Sequence, residues 1–194
     1  MTAIVGVLLA AGRGERFGGN KLMAPMDDGA RVAPAAARRL VQVVPESIAV
    51  VRLQDKLLKQ ALNEVPIRLV ENPYPGAGLG DSLALGVRAS AGAAGWLIAL
   101  GDMPWVELRT LEALVRRLES GASLVAPVYR GQRGHPVGFA AEWGGRLSGL
   151  SGEAGARHLL KAEARRLELV PCGDPGVLRD VDFPADLERG RDTI

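Results

Sequence analysis

Trp96 to Leu100, WLIAL, is an unbroken apolar run without alternation that opens directly into Gly-Asp-Met-Pro. A strand exposed on one face would alternate. A run like this belongs to a strand covered on both faces, as in the interior of a parallel sheet flanked by helices. The stretch from Ala3 to Leu9 has the same character. Elsewhere short aliphatic or β-branched runs alternate with longer helical patterns. The expected fold class is therefore α/β, a Rossmann-like three-layer α/β/α architecture with a mostly parallel central sheet.

The pattern predicts strands over 3–9, 47–52, 67–71, 96–100 and 123–128. Helices are expected over 32–44, 54–63, 82–90 and 107–119. The proline- and glycine-rich NPYPGAGLGD, residues 72–81, reads as a long functional loop feeding a helix. After residue 128 the rhythm breaks. YRGQRGHPVGFA reads as a hairpin with a glycine-rich turn, and helical segments follow over 142–147 and 153–163. The tail RDVDFPADLERG reads as a short strand capped into a final helix.

At 194 residues the chain suits one domain, able to bury roughly 70% of its unfolded surface. Hydrophobic residues make up 47% and charged residues 24%, with no polar low-complexity tract, which excludes a disordered chain. The formal charge is +2, from arginines scattered among acids rather than gathered with aromatics, so nucleic acid is not an expected partner. The single cysteine, Cys172, excludes an intrachain disulfide or cysteine-based zinc site and agrees with a cytoplasmic location. The apolar opening has no basic leader and is about half a membrane span, so no membrane association is expected.

LLAAGRGERFGGNK, residues 8–21, follows the first strand with a glycine-rich, cationic loop. Phe17 stands where a dinucleotide fingerprint needs its third glycine, and Arg52 where an acid usually follows the second strand. Gly14 and Gly19 have the Walker separation, but Asn20 intervenes before Lys21 and Leu22 replaces the magnesium-binding hydroxyl. What remains is a loop whose glycines free backbone N–H groups for an anion and whose Arg13, Arg16 and Lys21 supply positive charge, suited to a triphosphate. Asp102 of GDMP sits just beyond the carboxyl end of the apolar strand, where open parallel sheets bind ligands. A carboxylate there suits Mg²⁺, which prefers one or two carboxylates with phosphate oxygens and water. Capping of the following turn is the plainer role for the same residue.

The ordered set L-A-A-G-x-G-x-R-F-G-G-x-K-L, N-P, G-x-G-x-S-L, G-D-M-P, R-G-H-P-V-x-F, G-A-R-x-L-L and D-V-D-x-P-x-D-L resembles the molybdenum cofactor cytidylyltransferases, within the MobA-like NTP transferase (nucleotidyltransferase) family. The resemblance spans nearly the whole chain. It implies the nucleotidyltransferase fold, with 1–101 mainly binding NTP and 102–194 mainly serving the metal and acceptor. It further implies Mg²⁺-dependent transfer of CMP from CTP to the phosphate of molybdopterin, with release of pyrophosphate. GTP in place of CTP, another phosphorylated acceptor, and a non-enzymatic cofactor-delivery protein are the alternatives. A molybdoenzyme would be the transient recipient.

By that resemblance Leu9, Ala10, Ala11, Gly12, Arg13 and Gly14 wrap the nucleotide, with Gly80 and Ser82 holding base or ribose. Ser82 could equally be a helix N-cap. Arg13 and Lys21 neutralise the triphosphate, and Asp102 holds the metal. Asp182 either completes the metal site or caps the last helix. Arg133, Gly134, His135 and Pro136 would border the acceptor pocket, although a hairpin tip explains them as well. Ala11 replaces a glycine of the guanylyl branch, and its methyl leaves less room for a purine. Glu153 stands where the cytidylyl branch commonly has Asp, Leu79 where Met is usual, and ARVAP replaces a frequent lysine and proline. These departures leave the phosphate loop and GDMP intact and put the acceptor in question.

Overall fold

The structure, a computed structural model, describes residues 3–12, 14, 17–74, 76 and 78–188. In chain order it contains β1 (Ile4–Ala10), α1 (Val32–Val43), β2 (Ser47–Arg52), α2 (Lys56–Leu62), β3 (Arg68–Asn72), α3 (Leu79–Ala89), β4 (Gly95–Leu100) and α4 (Leu108–Glu119). These are followed by β5 (Leu124–Tyr129), β6 (Gln132–Arg133), β7 (Val137–Ala140), α5 (Gly144–Ser148), α6 (Arg157–Ala162), β8 (Leu167–Pro171) and α7 (Ala185–Glu188).

The strands form one sheet in the order β3-β2-β1-β4-β7-β5-β6, with β8 paired to β5. β3, β2, β1 and β4 are mutually parallel, β7 is antiparallel to both β4 and β5, and β8 runs parallel to β5. The unalternating runs of β1 and β4 are explained by burial on both sides. Leu8 and Ala10 of β1 join Leu97 and Ala99 of β4 under Ala37 and Leu40 of α1 and Leu114 of α4. Val7 and Leu9 join Ile98 under Leu83 and Val87 of α3, with α5 and α6 covering the far part of the same face through Leu147 and Leu159. The expected three-layer architecture is the one observed.

Three local expectations are corrected. The short strand in the tail does not form: Val181 instead bonds singly through its N–H to the Asp102 carbonyl at 2.9 Å. β8 was not anticipated, because LELVP carries a glutamate, ends on proline and is half-buried or exposed at every position, so it lacks a buried strand's pattern. α3 starts at Leu79 rather than Ser82, which puts Ser82 inside the first turn and makes Gly78, not Ser82, the N-cap. The hairpin does form between β5 and β6, across Arg130 and Gly131 at φ 48° and 80°. β7 continues the return strand of the same hairpin, antiparallel to β5 on one side and to β4 on the other.

Among the described residues no helix is long and apolar enough to cross a membrane.

Candidate functional site

The carboxyl ends of β1 and β4 lie side by side, with Leu9 registered against Leu100 and the Gly101 N–H donating to the Leu9 carbonyl at 2.9 Å. The glycine loop after β1 and the GDMP loop after β4 therefore leave the sheet at one point. Gly14 takes φ +63°, a conformation that favours glycine. The chain then doubles back through the Phe17 N–H bond to the Gly14 carbonyl into a short 3-10 turn, Lys21–Met23. The turn buries Lys21, and its Nζ emerges beside GDMP.

Lys21 Nζ donates to Asp102 Oδ2 at 2.7 Å and to Asp182 Oδ1 at 3.0 Å. The Val181–Asp102 backbone bond brings the tail aspartate to this point from 161 residues away in sequence. Burial alone would lower the lysine's pKa, but the charge of Asp102 and its hydrogen bond, followed by those of Asp182, outweigh it. The net effect raises the ammonium above its ordinary 10.5, so Lys21 is charged at neutral pH. Asp180, two residues before Asp182, is exposed. Partial desolvation and the like charges of Asp182 and Asp102 hold its carboxyl above the usual range, against its own backbone hydrogen bond and Lys21.

Lys21, Asp102 and Asp182 line a cleft of about 660 Å³. Leu9, Ala11, Gly12, Gly14, Lys21, Ser82 and Asp102, all anticipated, line it together with Asp182. Ala10 is fully buried in the core beneath. Gly80 is turned to another loop, its N–H donating to the Gly152 carbonyl at 2.7 Å. Ser82 is buried, and its hydroxyl accepts from Asn72 Nδ2 at 3.3 Å. Arg13 lies outside the described residues. Gly76, Gly78, Leu79 and Glu153 also line the cleft. Sequence reasoning marked 72–81 as functional, but no local signal tied Glu153 to it.

The RGHP segment does not line this cleft. Gly134 and His135 are pinned through their N–H groups to the carbonyls of Pro127 and Val177, both at 2.9 Å. His135 and Pro136 face a cavity of only about 20 Å³ beneath Leu100 and Met103. Arg133 is exposed on β6. The His135 Nδ1 is buried and has no hydrogen-bond partner among the described residues. Burial first, and then the charge of Arg133, lower this imidazole's pKa to about 4, with Asp102 opposing them.

The unfolded chain takes up this proton near pH 6.5 and the folded protein only near 4. The resulting cost is absent above 6.5, grows as pH falls, and is complete below about 4. At about 1.4 kcal/mol per unit it reaches at most about 3 kcal/mol. Urea unfolding at pH 7 and pH 4.5 should show a larger acid loss for the native chain than for His135→Asn. Parallel losses would reject the buried neutral imidazole.

Asp102 and Asp182 each place an oxygen within 3.0 Å of one atom, so they converge on a single point, and both are hard oxygen donors. That donor set fits Mg²⁺ or Mn²⁺. Among the described residues no group of three or more His, Cys, Asp or Glu side chains is gathered closely enough to hold an ion alone. The remaining ligands would have to come from water and from substrate phosphates, which is the habit of Mg²⁺ at nucleotide sites.

A glycine loop and an acidic strand end sharing one lysine at the edge of a parallel sheet define a nucleotide-handling α/β protein. The chain belongs to the MobA-like NTP transferase domain family, whose profile matches residues 6–168. It is 33% identical to nicotine blue oxidoreductase of Paenarthrobacter nicotinovorans, over 97% of this chain and 97% of that protein. It is 31% identical to the phosphoenolpyruvate guanylyltransferase of Sphaerobacter thermophilus, over 74% of this chain and 68% of that protein. Among solved structures it resembles Rv0371c of Mycobacterium tuberculosis, with TM-score 0.82 and 26% identity over the whole of both chains; that protein has also been solved with manganese. A nucleotidyl transferase from Methanothermobacter thermautotroptrophicus superposes with TM-score 0.83 at 27% identity, covering 98% of this chain and 96% of that one.

Proposed function

We propose that this nucleotidyltransferase transfers CMP from CTP to the phosphate of a molybdopterin-type acceptor and releases pyrophosphate. The observation that carries the reading is the Lys21 ammonium held between Asp102 and Asp182 at the cleft that the glycine loop borders. The triphosphate lies along the loop amides and Lys21. An acceptor phosphate oxygen attacks the α-phosphorus and forms the new P–O bond as the bond to the β-phosphate oxygen breaks, and pyrophosphate leaves with that electron pair. The attacking oxygen is already anionic, so no general base is needed and alignment with charge neutralisation supplies the catalysis. Asp102 and Asp182 would hold Mg²⁺, which when bound neutralises phosphate charge. The Ala11 methyl in the cleft supports CTP over GTP by about 1–3 kcal/mol. One domain spanning 1–194 in the cytoplasm is part of the same proposal.

Pyrophosphate release should be measured with each of the four NTPs, Mg²⁺ and molybdenum cofactor, and CTP should be preferred. Preference for GTP would move the chain to the guanylyl branch. Turnover only with a different phosphorylated acceptor would overturn the molybdopterin assignment.

The 33% identical relative favours one second reading, an oxidoreductase on the same scaffold. The incomplete glycine fingerprint argues against it. Titration with NADH and NADPH decides between them, since a transferase shows no saturable nicotinamide binding.

A further inference from the structure

Asp81 belongs to none of the roles assigned so far, yet it joins two segments of the cleft that are distant in sequence. One of its oxygens, Oδ2, accepts the Gly78 N–H at 2.9 Å and also the Gly152 N–H at 3.0 Å, 71 residues away. The Gly80 N–H returns the connection to the Gly152 carbonyl at 2.7 Å. Approach is so close that a Cβ on Gly80 would lie 2.7 Å from the Ser151 carbonyl oxygen. The joined segments supply Gly78, Leu79, Ser82 and Glu153 to the cleft. These four offer no cation, and Glu153 repels phosphate. They present an apolar side chain, a hydroxyl and a carboxylate, which suits the uncharged, amine-bearing nucleoside rather than the triphosphate that Lys21 attracts.

We propose that Asp81 is a positioning residue that latches 78–82 to 151–155 and so fixes the wall that receives the nucleoside of the NTP. This rests on the nucleotidyl-transfer reading for its substrate, but the latch itself does not.

Two measurements on the full chain test it. Amide hydrogen exchange of the free protein should rise in both 74–82 and 150–156 for Asp81→Ala, with the rest of the sheet unchanged. Asp81→Asn, which keeps an acceptor oxygen, should stay close to the native pattern. In steady state Asp81→Ala should raise KM for the preferred NTP about tenfold and narrow the CTP/GTP ratio, with kcat held within about threefold, the signature of lost uniform binding. Asp81→Asn should recover most of that KM. If Asp81→Ala does not fold, Gly80→Ala replaces it, because its added methyl parts the same segments and should raise exchange in both.

Unchanged exchange in 150–156 would overturn the latch. Raised exchange with an unaltered KM and a lowered kcat would overturn the nucleoside assignment. Absence of nucleotidyl transfer in the native protein would defeat the functional reading, while the exchange result would still decide the latch.

Discussion

Asp102→Asn is expected to lose on the order of a thousandfold in kcat for pyrophosphate release, comparable to removal of a preorganised electrostatic group. The substitution preserves shape and removes the negative charge that pairs with Lys21 Nζ and that would hold the proposed metal. The Asp102 side chain is 21% exposed and Lys21 keeps Asp182, so the loss of fold stability should be small, about 1 kcal/mol. The effect therefore belongs to turnover rather than to folding. Single-turnover assays at saturating CTP and Mg²⁺, beside a urea melt, separate the two. Turnover within tenfold of native would show that the reaction does not depend on this carboxylate.

Lys21→Met should show a second large effect with a different signature. A methionine fills the stem's volume but removes the ammonium that Asp102 and Asp182 each approach within 3.0 Å. Turnover should fall on the order of a hundredfold or more through loss of charge at the triphosphate. In EDTA the variant should melt below the native chain, and Mg²⁺ or Mn²⁺ should raise its melting temperature more than it raises the native one. The ion then replaces the missing cation and stabilises the folded state by mass action. Equal metal responses in the two proteins would mean that the carboxylates do not converge on a shared cation. The pH dependence follows from the raised lysine pKa. Its stabilising contribution is fully present below 10.5 and is lost only as pH rises through the higher folded value, so the native–variant difference should be flat from pH 7 to 9 and shrink in strong alkali.

What could be read from the chain was local. The apolar runs of β1 and β4 announced a sheet covered on both faces, and glycines with a lysine placed an anion loop after the first strand. GDMP followed the central strand, where parallel sheets bind ligands. β8 was invisible because an edge strand with a glutamate, a terminal proline and half-exposed positions has no distinctive period. The acceptor role expected of RGHP stays a proposal; what the sequence did not show is that the segment is pinned to Pro127 and Val177 and that His135 lines the small cavity below GDMP.

The sequence alone determined the class of fold and the two loops where a nucleotide would be handled, because periodicity and turn chemistry act over a few residues. Only the tertiary structure decided that Asp182 reaches Lys21, that Asp81 ties Gly78 to Gly152, and that β7 enters between β4 and β5. Each of those outcomes depends on hydrogen bonds between residues far apart in the chain. Which distant partners meet is set by how the whole sheet and its helices bury their apolar faces together, and no short stretch of sequence contains that information.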